Sequence, residues 1–443
     1  PMTYLLRIGI EGWRSPEFGD PTDRATTAEL KIQGGGEVAT RLEDLFAKTV
    51  RDTARVSAYR LAYWFADNWW RLRWEPEHPG SDRSSDWAMS HRIGAAGGGY
   101  LWPDLTIACD GDSVSLRAAG ANRTTDHAVR YLSEFSQIVS AGDYERSVDT
   151  FVGQVIARLA VLRIADRDLP ELWKEIGQER HDPALSRLRR LEAMLGCDAD
   201  EGDEGLLRAL NGYGERFGPA AIDVIAAAFK QTGALGELGA LDQRLPQASA
   251  ELSLPGLDDL RAVLDSARRR NQLPWQIGEI LANAARRLWG LGSGPIESGR
   301  FTAIVGAPQT LLEPDSQPPL GPLATAAGLR NPEHPGRFRV LMHARPAPSM
   351  RFEFARVLAD AIWADAPETL LPVTKAKTAR QKMQRSFAGQ FLCPYDELVG
   401  MVDPQDPDDD AMEQAAQRFA VSPLVVRTLL VNKGYRGREL LRV

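Results

Sequence analysis

Apolar positions recur at two spacings along this chain, and the switch between them marks its organisation. Leu6, Ile8 and Ile10 alternate with small or charged neighbours, as do Leu30 and Ile32, which predicts half-buried strands. From Val56 to Trp74 the spacing turns helical: Val56, Tyr59, Tyr63, Ala66 and Trp70 share a face, while Leu61, Trp64, Phe65 and Trp69 fill most of the rest. A helix apolar almost all round must be buried on several sides. Six of the eleven tryptophans fall between positions 64 and 102, so the first core is expected to centre there. Further on, Asp110-Gly111 separates two short β-prone runs and predicts a hairpin closed by a type I′ turn. The glycines of 94–99 lack both the G-x-G-x-x-G spacing and a Lys-Ser/Thr pair, so a tight turn is expected there rather than a phosphate cradle.

From about 146 to 270 the pattern is helical. Phe151, Val155, Ile156, Leu159 and Leu162 mark one amphipathic helix, and Leu185, Leu188, Leu191 and Leu195 a second, closed by Gly196. Ile222, Val224, Ile225, Ala228 and Phe229 mark a third, entered through Pro219. The last third opens on a helix from Pro274 with Ile277, Ile280, Leu281, Ala284 and Leu288 at core spacing. Residues 312–336 hold six prolines and read as a linker before a strand at Phe338–His343. These patterns predict an α+β chain of several domains: mixed α/β over 1–145, helical over 146–270, and mainly helical with a small sheet over 271–443.

Composition narrows the function classes. At 43% hydrophobic and 26% charged, 443 residues supply ample material for several cores. A formal net charge of −7 weighs against broad affinity for nucleic acid or anionic membranes. Cys109, Cys197 and Cys393 form no C-x-x-C motif, in keeping with a reducing compartment. Cys393, within Phe391-Leu-Cys-Pro394, is expected to be a buried, inert thiol. With no apolar leader and no uncharged run long enough to span a bilayer, a cytoplasmic location is expected. The acidic stretch 198–204 lacks the ligand order of an EF-hand and reads as a solvated loop.

The candidate chemistry lies in Arg351-Phe-Glu-Phe-Ala-Arg-Val-Leu-Ala-Asp360 and in Gln381-Lys-Met-Gln-Arg-Ser-Phe-Ala-Gly-Gln-Phe-Leu-Cys-Pro394. Together these resemble the ImmA/IrrE family of zinc metallopeptidases, whose signature is R-F-x-x-A-H-E-L-G-H followed by E-x-x-A-N-x-F-A-x-x-L-L-x-P. The resemblance covers roughly 270–443 and implies a zincin-like domain. It sets the first zinc His on Arg356, the general-base Glu on Val357, the second His on Asp360 and the distal Glu on Gln381. In such a site two His four apart hold zinc, and the Glu between them deprotonates the bound water. A guanidinium cannot ligate a cation, valine cannot take a proton, and a glutamine oxygen is a weak neutral donor. The expectation is therefore no metal and no other cofactor. Arg356, Asp360, Gln381 and His343 would line a remnant pocket, with Arg356 and Asp360 joined in an ordinary i,i+4 ion pair.

Members of the family cleave or engage helix-turn-helix repressors and regulate mobile elements and stress responses. For a member without ligands the resemblance implies a regulator or scaffold that binds a protein partner, a repressor or phage-defence component, without cutting it. Two other readings stay open. One is a metal-dependent peptidase with a non-standard site built on Asp360, His343 and a residue from the N-terminal domain. The other is a DNA-binding regulator. Ala416–Leu430 has helix-turn-helix character, with Ser422 as cap and Arg427, Asn432, Lys433 and Arg436 as the polar candidates. Five aspartates between Asp403 and Asp410 would repel a phosphate backbone nearby, so nucleic acid is the less favoured partner.

Overall fold

The early alternation of Leu6, Ile8 and Ile10 forms a strand, β1 (Leu6–Trp13), with Ile8 opposite Ile32 and Ile10 opposite Leu30 on β2 (Thr27–Gly34). A computed structural model describes residues 5–17, 19–77, 84–120, 127–248, 251–314 and 325–433, with backbone alone at 230–232. A short helix, α1 (Pro21–Thr26), links the two strands. The far side of β2 carries β3 (Glu37–Val38) and β6 (Ala54–Ser57), which leaves β1 at the sheet edge. β4 (Leu42–Asp44), β5 (Thr49–Arg51) and β9 (Val129–Tyr131) form a second small sheet. A third contains β7 (Asp104–Cys109), β8 (Ser113–Ala119) and β10 (Phe135–Ser140), in the order β10-β8-β7.

Val56–Trp74 is not the single helix its spacing predicts. Val56 ends β6, and two helices follow, α2 (Ala58–Asp67) and α3 (Trp69–Trp74). The causes are local. The Ser57 hydroxyl accepts from the Arg60 N–H and starts α2 directly after the strand, while the Asn68 amide donates to the Trp64 carbonyl at 2.9 Å and closes it. The tryptophan-rich core does form: Trp69 and Trp87 are almost wholly buried, and Trp69 stacks on Tyr144. Trp87 lies on α4 (Ser85–His91). Tyr144, Val148, Phe151 and Val155 reach the core from α5 (Ala141–Leu162), and Leu169 and Ile176 from α6 (Asp168–His181). The second predicted helix is α7 (Pro183–Leu195), ended by Gly196 in the left-handed region.

The β7–β8 hairpin forms one residue later than expected. Asp110 bonds to Ser113, leaving Gly111-Asp112 as the loop, and of these only Gly111 has positive φ (107°). Positive φ at the first loop position alone gives a type II′ turn, not I′. Asp110 drives the shift, because its carboxylate accepts from the Asp112 and Ser113 N–H groups at 3.0 and 2.7 Å.

The chain divides into two compact units, Pro1–Leu207 and Arg208–Val443, and the helical segment 146–270 is shared between them. Its first three helices complete the first core, whereas α8 (Glu204–Phe217) crosses the division and α9 (Pro219–Arg244) follows. The second unit has one antiparallel sheet ordered β11-β13-β12-β14, from β11 (Glu251–Ser253), β12 (Ala326–Arg330), β13 (Arg337–Leu341) and β14 (Leu370–Val373). β12 lies within the segment read as a linker, a strand of Ala, Ala, Gly and Leu ending in Arg330, with no alternation to announce it. Sharing a core with this sheet are α10 (Leu257–Arg269), α11 (Pro274–Leu288), α12 (Ser298–Ala303), α13 (Ala347–Trp363), α14 (Ala379–Leu392) and α15 (Tyr395–Leu398). The described chain closes with α16 (Asp409–Phe419) and α17 (Pro423–Asn432). α11 approaches α14 closely at Gly278, where a Cβ would stand 2.5 Å from the Met383 carbonyl oxygen.

Candidate functional site

Both motif segments are helical and adjacent: Arg351–Asp360 lies in α13, Gln381–Leu392 in α14, and α14 follows directly from β14. On α13 Phe354, Ala355, Val357, Leu358 and Ala361 are buried in the second core, so Arg356 and Asp360 sit in apolar surroundings and need polar partners there. Asp360 is fully buried, and Arg380 grips it with a planar fork, Nε to Oδ1 at 2.6 Å and Nη2 to Oδ2 at 2.8 Å. The third guanidinium nitrogen of Arg380 donates to Glu368, and Nη2 also reaches the Leu370 carbonyl at 3.3 Å. Burial alone would lower the Arg380 pKa, but the Asp360 and Glu368 charges outweigh it and hold the group above its ordinary value. Burial pushes the Glu368 carboxyl up, with Arg380 pulling the other way.

Arg356 turns to a different set. Its Nη2 donates to the Thr374 carbonyl at 2.7 Å and to the Gln381 side-chain oxygen, which also accepts from the Thr374 N–H at 2.9 Å. The amide nitrogens of Gln381 and Gln384 both donate to the Pro372 carbonyl, at 2.8 and 3.0 Å. Burial lowers the Arg356 guanidinium pKa to about 9, with repulsion from Arg385 adding to it. The expected i,i+4 ion pair between Arg356 and Asp360 is therefore not made. Arg356, itself buried, is taken up by Thr374 and Gln381, whereas Arg380 reaches Asp360 in bidentate geometry.

His343 also departs from expectation. Its ring lies 3.6 Å from Glu353, its side chain is 40% exposed, and its backbone N–H and that of Ala344 donate to the same carboxylate. Its partner is Glu353 and not Arg356, Asp360 or Gln381. The remnant pocket is likewise not an open groove: Asp360, Gln381 and Gln384 have no exposure, and Arg356 and Arg380 almost none.

No protein-family model, curated protein or solved structure matches the chain. The residues themselves decide whether a peptidase zinc fits, and they do not fit. Both Asp360 oxygens are engaged by a cation, Gln381 is spent on Arg356 and the loop, and Val357 packs where a Cβ on Gly328 would be 3.0 Å away. Among the described residues no cluster of three His, Cys, Asp or Glu is placed to hold a metal ion. The acidic loop is tied down instead, Asp198 to Arg71 at 3.2 Å and Asp200 to Arg189 at 2.8 Å.

Sequence reasoning missed Arg380, Glu368, Thr374, Gln384 and Arg330. Arg330, on β12, donates to the carbonyls of Ala361 and Ala364 in the final turn of α13, at 2.6 and 3.2 Å, and to those of Asp365 and Glu368 beyond it. One signal was readable: an aspartate inside an apolar helix requires a cation, and Arg380 stands beside Gln381 in the second motif. Cys393 is buried as expected, and burial pushes its thiol up to about 12.

At the C-terminal end α16 and α17 pack together, joined through Ala420 in the left-handed region. Ser422 stands at the N-cap, but its side chain makes no capping hydrogen bond. Of the nucleic-acid candidates, Arg427 pairs with Asp409 at 3.2 Å and Lys433 with Glu279 at 2.8 Å, while Asn432 is exposed. Arg436 lies outside the described residues. No described helix is long and apolar enough to cross a membrane.

Proposed function

We propose that this protein is a catalytically inactive relative of the ImmA/IrrE peptidases that acts as a protein-binding regulator or scaffold, in a mobile-element or phage-defence setting. The supporting observation is that the positions of a zinc-and-water centre hold a closed network, Arg380 on Asp360 and Glu368, and Arg356 on Gln381 and Thr374. Zinc hydrolysis needs an open coordination position and a base within reach of the bound water. Here the base position is a buried valine. A domain without that chemistry acts through its surface, and with Arg356 and Asp360 buried, partner contacts fall to exposed side chains elsewhere.

The test is affinity purification of the full chain from its native source in the presence of a chelator. A stoichiometric protein companion, recovered intact with or without chelator, is expected. A companion cut at one peptide bond, with the cut prevented by chelator, would contradict the reading.

A further inference from the structure

We propose that the outer edge of β1, together with α5, forms a groove for an extended peptide that carries a carboxylate beside an apolar side chain and adds a strand to the first sheet. Two hydrogen bonds fix which backbone groups of β1 face outward. The Leu5 carbonyl accepts from the Gly35 N–H at 3.4 Å, and the Arg14 N–H donates to the Thr27 carbonyl at 2.8 Å, both towards β2. Antiparallel pairs alternate, so ahead of the bulge the N–H and C=O groups of Leu6, Ile8 and Ile10 point away from β2. The Leu6 carbonyl accepts from the Ser147 hydroxyl on α5 and Ile8 is buried, so the edge opens at Ile10, whose carbonyl has no hydrogen-bond partner among the described residues.

Helix α5 thus touches the edge at Ser147 and then stands off from it. Further along, Gln154, Ala157, Arg158 and Val161 face Ile10 and Trp13 across a cavity of about 420 Å³. A β-bulge between Ile10 and Gly12 bends the strand at this point. The lining is mostly apolar, and Val161 is 76% exposed, a large aliphatic surface left to water. Arg158 is its one charge. Its Nε donates to the Ala25 carbonyl at 3.2 Å and its guanidinium lies 5.1 Å from the Trp13 ring centre. That leaves two Nη groups with no partner among the described residues, held in place and matched to a carboxylate. Free backbone groups at Ile10, apolar contacts and one fixed cation are the elements of strand-addition recognition.

The test is panning of a random heptapeptide phage library on the full chain, then fluorescence anisotropy with the enriched, labelled peptide. Enriched peptides should carry Asp or Glu next to Val or Ile. Binding should weaken roughly tenfold or more with Arg158→Ala or with the peptide acid changed to its amide, and likewise when alternate peptide nitrogens are methylated. Val161→Asp, at an exposed position, should also weaken binding while circular dichroism stays unchanged. Failure to enrich, enrichment retained on an Arg158→Ala/Val161→Asp double variant, or full binding by the methylated peptide would overturn the proposal.

Discussion

Asp360 is the residue on which the centre of the second unit turns. Its two oxygens neutralise Arg380 in a buried site, so removing the carboxylate leaves a guanidinium with Glu368 as its remaining anion among the described residues. Asp360→Ala should cost about 3–5 kcal/mol in urea unfolding, the range for breaking a buried ion pair from one side. Asp360→Leu combined with Arg380→Met and Glu368→Leu should recover most of that loss, because all three buried charges go together and each carries its own desolvation cost. A single variant as stable as the parent would show that the pair is not formed. In the first unit, Glu75 is buried with Arg71 and His91. Burial, the largest influence, would raise its pKa, but the hydrogen bonds and charges of His91 and Arg71 together bring it down to about 2 from an ordinary 4.5. A carboxyl whose folded pKa is depressed contributes stability that is present above its unfolded pKa and lost as pH falls through the folded one. Stability should therefore fall between about pH 4.5 and 2, and Glu75→Gln should flatten that part of the profile. At this scale the sequence showed which polar residues were out of place, but not their partners. Spacing reveals only neighbours along a helix, while Arg356 and Asp360 are satisfied by residues 18 and 20 positions away.

Elements were more legible than contacts. Helices with a sustained apolar stripe and a terminal Pro or Gly, such as α7, α9 and α11, lie where periodicity places them. Errors arose where a local hydrogen bond overrode the pattern, at Ser57 and Asn68 within the tryptophan-rich stretch and at Asp110 in the hairpin. β12 was illegible because its small residues gain their place only from partners on both sides. The α11–α14 contact makes a prediction of its own. A methyl group at Gly278 would meet backbone atoms at 2.5 and 2.8 Å, so the helices must separate. Gly278→Ala should destabilise by roughly 1–3 kcal/mol through overpacking, even though alanine favours a helix by about 1 kcal/mol over glycine. Chemical denaturation measures this, and a stabilised variant would contradict the close packing. For α17, the pairing of Arg427 and Lys433 with carboxylates predicts no salt-dependent duplex binding that Arg427→Ala or Lys433→Ala would weaken.

At the scale of the whole molecule, two compact units with separate cores predict that calorimetric unfolding departs from a single two-state transition, with a van't Hoff enthalpy below the calorimetric one. Coincident enthalpies would mean the units unfold as one. The central claim is that Asp360, buried between α13 and α14, is held in a closed network by Arg380 and is closed to a metal ion. Elemental analysis of the purified full chain, after incubation with excess zinc and gel filtration, tests it most directly. No zinc retained above the buffer level, with Asp360→Ala indistinguishable from the parent, is the predicted result. One zinc held per chain and lost in Asp360→Ala would contradict it.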